Sequence, residues 1–180
     1  METVYIHPTA TVSESSKIGS GTKIWINSQI REDAVIGDHC IIGKDTYIDH
    51  GVQIGNGVKI QNGVSVYYGV TIEDNAFIGP NAVFTNDLYP RAFNADWIVK
   101  NTLVKEGASI GANATIICGH VLGRYSMVGA GSVVVCDVPD HALVAGNPAK
   151  VIGYVCRCGN KLDCNMDCIQ CGQHWEVIHG

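Results

Sequence analysis

The sequence predicts an all-β protein in which short strands wind three to a coil into a triangular prism of about seven coils, with one protruding loop and a small cysteine-rich tail. Two observations predict the prism. First, an aliphatic or aromatic residue recurs at every sixth position: Ile6, Val12, Ile18, Ile24, Ile30, Ile36, Ile42, Ile48, Ile54, Ile60, Val66, Ile72, Ile78 and Phe84, then Ile98, Val104, Ile110, Ile116, Leu122, Val128 and Val134. That makes twenty-one hexapeptides. Second, the position three residues after each of these is mostly Gly, Asn or Asp: Gly21, Asn27, Asp33, Asp45, Gly51, Gly57, Gly63, Gly69, Asn75, Asn81, Asn101, Gly107, Asn113, Gly119, Gly131 and Asp137. A period of six fits neither the 3.6 of a helix nor simple strand alternation, so the chain must turn at a fixed short interval. Gly, Asn and Asp are the residues that tolerate positive φ there. A flat antiparallel sandwich would need strand and turn lengths that vary, and these do not.

In chain order, the corner position after each turn is small or β-branched (Ala10, Ser16, Thr22, Ser28, Ala34, Cys40, Thr46, Val52, Val58), which suits a cramped interior. Seven coils at about 4.8 Å each give a prism roughly 34 Å tall. Between Phe84 and Ile98 lie eight residues more than one hexapeptide needs, so a loop within Thr85 to Trp97 must leave the prism. A regular solenoid gains nothing from such an excursion, and loops on rigid scaffolds tend to carry function. The loop contains no histidine. From Val138 the pattern breaks, with Pro139 and Pro148 unable to extend a ladder. The expected divisions are residues 1–137 for the prism with its loop 85–97, 138–153 for a C-terminal extension, and 154–180 for the tail.

Composition narrows the function. The chain of 180 residues has a net charge of -5 and no basic stripe, which argues against a nucleic-acid partner. No apolar run approaches the roughly 20 residues of a membrane span, the N-terminus lacks a signal pattern, and a cytoplasmic location is expected. In that setting the eight cysteines are not read as disulfides. Five crowd the tail, where Cys156, Cys158, Cys168 and Cys171 form two close pairs, each followed by a Gly that eases a knuckle turn. Such pairs can surround a tetrahedral zinc ion, with Cys164 and His174 as substitutes. A tail this short cannot fold on apolar burial, so metal would supply its stability.

The repeats joined to the segment from Pro139 to Gly153 resemble the hexapeptide-repeat acyltransferases, and the resemblance covers residues 1–153. It implies a left-handed β-helix, a homotrimer, and acetyl-CoA bound between neighbouring prisms. The runs Ile60 to Tyr67, Phe77 to Pro80 and Phe84 to Arg91 are similar to the subgroup that N-acetylates 3-amino sugars on nucleotide diphosphates, typified by the UDP-2-acetamido-3-amino-2,3-dideoxy-glucuronate N-acetyltransferases. The tail would then be a zinc-ribbon-like addition.

The resemblance also implies site residues. Acetyl transfer to an amine needs positioning and oxyanion stabilisation more than a strong base, because the thioester is already activated. Asn86 is the expected catalytic residue, orienting the amine or thioester. His50, preceded by Asp49, is the alternative, as a base. Arg31, Lys59, Tyr89 and Arg91 are expected to bind the nucleotide sugar, Arg being suited to bidentate anion pairing. Ala112, Ala130, Asn147, Pro148 and Lys150 match positions that line acetyl-CoA. Glu73 and Asp74 read as solvated rim groups. Two other readings stay open: O-acetyl transfer using His50, and a zinc carbonic anhydrase or non-catalytic scaffold. The scattered His7, His39, His50 and His120 do not show the triad a carbonic anhydrase needs.

Overall fold

A computed structural model describes residues 2–94 and 96–176 of the chain. Among the described residues, twenty strands of two or three residues each end on one member of the six-residue series. They stack into three parallel sheets that form the faces of a prism. The first face begins with Tyr5–Ile6 and Lys23–Ile24, the second with Thr11–Val12 and Gln29–Ile30, and the third with Lys17–Ile18 and Val35–Ile36. Paired residues are eighteen apart in sequence, as with Lys23 and Ile41 or Gln29 and Tyr47. Every side chain therefore sits above its counterpart in the preceding coil.

From Ile24 onward the series residues within strands point inward and are buried, Ile24, Ile42, Ile60, Ile78 and Ile110 completely. Several corner hydroxyls are buried and find carbonyls, Ser28 Oγ donating to Gly43 O at 2.7 Å and Thr22 Oγ1 to Gly37 O at 2.8 Å, whereas the buried Ser126 Oγ has no partner among the described residues. All the predicted turn residues except Asn101 and Asp137 have positive φ, and His39 and Tyr125 fill the same position with φ of 56° and 53°. Coils approach closely at the corners, where a Cβ on Gly111 would lie 2.5 Å from the Ala130 nitrogen.

Two expectations are corrected. Ile98 is not a member of the series: it is 73% exposed, and the ladder resumes only at Thr102–Val104. Val83 pairs with Thr115, thirty-two residues on where eighteen is the rule, so the excursion has fourteen extra residues and runs to Asn101. Ile98 matched the period because it lies six residues before Val104, where the ladder resumes. The coils also do not end at Asp137. Ala142–Gly146 pairs in parallel with Met127–Val128 and adds an eighth rung to the first face, before Ala149–Tyr154 folds back against it as a hairpin. No helix among the described residues is long and apolar enough to cross a membrane.

Candidate functional site

The eighteen-residue register builds a column on the corner that follows the second face. Glu32, His50, Tyr68 and Asn86 occupy equivalent places in four successive coils, and Arg31, Asp49, Tyr67 and Thr85 occupy the places just before them. The excursion leaves the prism directly after Asn86, so this column ends at the root of the loop.

The column is tied together by hydrogen bonds. Asp49 is the hub: its Oδ1 accepts the His50 backbone N–H at 2.8 Å and the Tyr47 hydroxyl at 2.9 Å, and it lies 3.0 Å from His50 Nδ1. Its Oδ2 accepts the Tyr68 N–H at 3.2 Å. Partial burial pushes this carboxyl up, but the bonds from His50, Tyr68 and Tyr47 outweigh it and hold Asp49 below its ordinary value. The His50 ring stacks on Tyr68 with centroids 4.5 Å apart and planes within 9°. Asn86 Nδ2 donates to the Tyr68 carbonyl at 3.3 Å, which leaves its amide a second donor and an acceptor. Lys100 N donates to Asn86 O at 3.2 Å, and Asp87 bridges Val99, so the base of the excursion is closed.

Arg31 belongs to the same network. Its Nε donates to Glu32 at 2.7 Å and its Nη1 to the Tyr47 hydroxyl at 3.1 Å, and these two partners raise its already high pKa. Tyr89 and Arg91 lie on the excursion, Tyr89 being 76% exposed and Arg91 donating to Pro90 O at 2.8 Å. Within one chain the structure thus places Arg31, His50 and Asn86 on one corner with Tyr89 and Arg91 beyond it. Lys59 is not brought to them; it points outward from the first face. Glu73 and Asp74 are not merely solvated, because they cap turns: Glu73 Oε2 accepts the Glu106 N–H at 2.9 Å and Asp74 Oδ1 the Asn56 N–H at 2.7 Å.

A second line of predicted residues gathers on the corner between the first and second faces. Ala112 and Ala130 stack there in consecutive coils. The hairpin turn with Asn147 and Pro148 continues this edge, for Gly146 N donates to Ser132 Oγ at 3.2 Å, and Lys150 pairs with Ala145. Beside it Phe77, Ser109, Gly111, Met127 and Ala130 line an open groove of about 340 Å³.

In the tail, the sulfurs of Cys156, Cys158, Cys168 and Cys171 all lie within 4.8 Å of one another, with Cys156 to Cys171 at 3.4 Å and Cys158 to Cys168 at 3.5 Å. Four thiolates about 2.3 Å from a tetrahedral zinc would be spaced about 3.8 Å apart, so the set fits. Gly159 and Gly172, at φ of 87° and 71°, donate back to Cys156 O and Cys168 O, both at 2.8 Å, and form the two knuckles. Asn160 holds Cys158 down at about 6. Cys171, despite the Gln173 backbone N–H that favours its thiolate, is pushed up to about 12 by the thiols of Cys156 and Cys168. Four such sulfurs cannot all ionise together unless a cation neutralises them. Cys164 is exposed and His174 pairs with Asp167 at 2.8 Å, so neither substitute joins the cluster.

Sequence reasoning missed Tyr47 and Tyr68. The signal was present, since Tyr68 lies eighteen residues from both His50 and Asn86.

Comparison with known proteins agrees with this architecture. Residues 15–50 and 51–86 match the family model described as bacterial transferase hexapeptide (six repeats), and residues 106–136 match the hexapeptide repeat of succinyl-transferase. Together they span more than half of the chain and leave out the excursion. A dTDP-3-amino-3,6-dideoxy-alpha-D-galactopyranose 3-N-acetyltransferase from Aneurinibacillus thermoaerophilus is 53% identical over 81 residues, which is 44% of this chain and 42% of that protein. This chain therefore spans less than half the length of that curated relative. Among solved structures, a hexapeptide-repeat acetyltransferase from Vibrio cholerae, complexed with acetyl-CoA, superposes with a TM-score of 0.61 at 27% identity over 67% of this chain and 70% of that one. PerB from Caulobacter crescentus, complexed with CoA and GDP-perosamine, superposes with a TM-score of 0.54 at 28% identity over 84% and 58%.

Proposed function

Because the chain belongs to the hexapeptide-repeat transferases, we propose that it is an acetyl-CoA-dependent N-acetyltransferase acting on the 3-amino group of a nucleotide-diphosphate-linked amino sugar. Its product would supply cell-surface polysaccharide. The observation that carries this reading is Asn86, held against Tyr68 at the root of a histidine-free loop and in one column with His50. The similarity to an enzyme named for 3-N-acetylation of a dTDP-amino sugar supports it.

In the reaction, the lone pair of the sugar amine attacks the thioester carbonyl carbon. The tetrahedral intermediate collapses, the C–S bond breaks, and the proton shed by the nitrogen ends on the CoA sulfur. A neutral amine is already a good nucleophile, so positioning and oxyanion stabilisation carry most of the work. The Asn86 carboxamide would orient the amine or the thioester. Tyr89 and Arg91 on the excursion, with Arg31 on the corner, would hold the nucleotide sugar, and Lys59 would do so only from a neighbouring prism. Ala112, Ala130, Asn147, Pro148 and Lys150 would line acetyl-CoA along the other edge. The enzyme would work as a homotrimer in the cytoplasm. The four tail cysteines would hold a structural zinc ion.

One observation favours a second reading. Asp49 lies 3.0 Å from His50 Nδ1 and would fix the tautomer that presents Nε2 as an acceptor, which is how a base for hydroxyl acetylation is held. A thiol-release assay with acetyl-CoA decides between them, run with UDP- and dTDP-linked 3-amino sugars and with their 3-hydroxyl counterparts. Turnover confined to the amino sugars supports N-acetylation. Turnover of hydroxyl acceptors that vanishes in His50→Ala supports the second reading, and no turnover with any amino sugar overturns the first.

A further inference from the structure

The cysteine cluster does not hang from the prism on a free linker. Cys156 follows within two residues of Ala149–Tyr154, the returning strand of the hairpin at the end of the first face. Val155, between them, is held twice by His141: its N–H donates to His141 O at 2.8 Å, and His141 Nδ1 lies 2.9 Å from its carbonyl. His141 is 6% exposed, with Tyr125 stacked at 5.4 Å and Trp175 at 4.2 Å. From the first knuckle, Arg157 donates to the Tyr125 hydroxyl at 2.7 Å with its guanidinium 4.6 Å from that ring, and the hydroxyl donates on to Glu106 at 2.9 Å.

Tyr125 makes this arrangement informative. It stands at a turn position with φ of 53°, where most coils use Gly, Asn or Asp. A bulky residue is disfavoured there. An aromatic ring kept at such a position serves something outside its own coil, and here that is the tail.

We propose that the four-cysteine centre is a metal-dependent clamp: zinc folds the tail against Tyr125 and His141, and the docked tail fixes the hairpin that carries Asn147, Pro148 and Lys150. The proposal rests on the zinc and acetyl-CoA readings given above. Order at Cys156 passes through Val155 to His141, which immediately precedes the outgoing strand Ala142–Gly146. By linkage, whatever holds the tail in its dock also holds the metal.

The test uses the full chain, its zinc content measured, before and after stripping with a chelator, and follows amide hydrogen exchange together with the KM for each substrate. One zinc per chain is expected. Stripping should speed exchange across Ala142–Tyr154 by about tenfold, leave the coils up to Val134 protected, and raise the KM for acetyl-CoA about fivefold with the acceptor KM unchanged. Two variants keep all four sulfurs. His141→Ala should release zinc to a colorimetric chelator about tenfold faster, and so should Tyr125→Asn, which relieves the strained turn and only weakens the dock. Unchanged hairpin exchange after zinc loss, wild-type zinc release from Tyr125→Asn, or a looser hairpin with an unaltered KM for acetyl-CoA would each overturn the proposal. If zinc-loaded protein acetylates nothing, the functional reading fails, while the exchange and release measurements still judge the clamp.

Discussion

The prism and the tail solve the same problem by opposite means. The prism spreads its stability over many similar rungs, each burying one series residue and pairing with the coils above and below, so that no single rung decides the fold. The tail concentrates its stability at four sulfurs and a dock of three aromatic rings. Repetition gives a scaffold on which outward positions are free for chemistry; a point anchor gives a module that can be loosened without dissolving what it is attached to.

The sharpest way to break the comparison is to challenge the proposed zinc centre with a chelator. Structural zinc contributes on the order of 10 kcal/mol to small metal-folded modules. Chelation should therefore abolish the ordered environment of Trp175 while the prism's own cooperative melting persists, as calorimetry alongside near-UV circular dichroism would record. Loss of both signals together would mean that the two regions fold as one. A second contrast lies within the prism. Ile60 is fully buried, and Ile60→Ala should cost about 3 kcal/mol in urea unfolding, whereas Ile6, 43% exposed in the first coil, should cost less than about 1 kcal/mol. Equal costs would contradict graded burial along the solenoid.

The smallest effect concerns the outer corner. Because the Asp49 carboxyl is held below its ordinary value, its contribution is present above pH of about 3.9 and is lost as pH falls through the lower, folded value. The carboxylate is partly exposed, so the contribution is about 1 kcal/mol at most. Asp49→Asn should lower the melting temperature slightly at pH 7 and leave it nearly unchanged at pH 2; a difference that persists in acid would show that packing, not charge, holds the corner.

Most of the prism was legible because its period is long-range order written locally: the residue at each sixth position decides what lies inside, and the eighteen-residue coil follows. Ile98 misled because the period counts residues without knowing whether the chain is still winding. The grouping of Cys156, Cys158, Cys168 and Cys171 was legible from spacing, whereas spacing kept Cys164 as a substitute and only the fold leaves it outside the cluster. The tyrosines around Asp49 and His50 were harder to see, since the Tyr47 contact with Arg31 and the Tyr68 stack on His50 form only when successive coils are stacked. The dock of the tail was not legible at all. Tyr125, His141, Arg157 and Trp175 are spread along the chain without a shared pattern, and only the folded hairpin brings them together.

In the proposed reaction Asn86, rather than His50, serves the transferred acetyl group. The most direct test is kcat/KM for one nucleotide-linked 3-amino sugar in Asn86→Ala and His50→Ala, with both variants confirmed to melt like the parent. Asn86→Ala is predicted to lose about a hundredfold, the scale of removing one preorganised donor at a developing oxyanion, and His50→Ala less than about tenfold. The reverse order, with His50 indispensable and Asn86 replaceable, would contradict the account and place a general base at the centre of the chemistry.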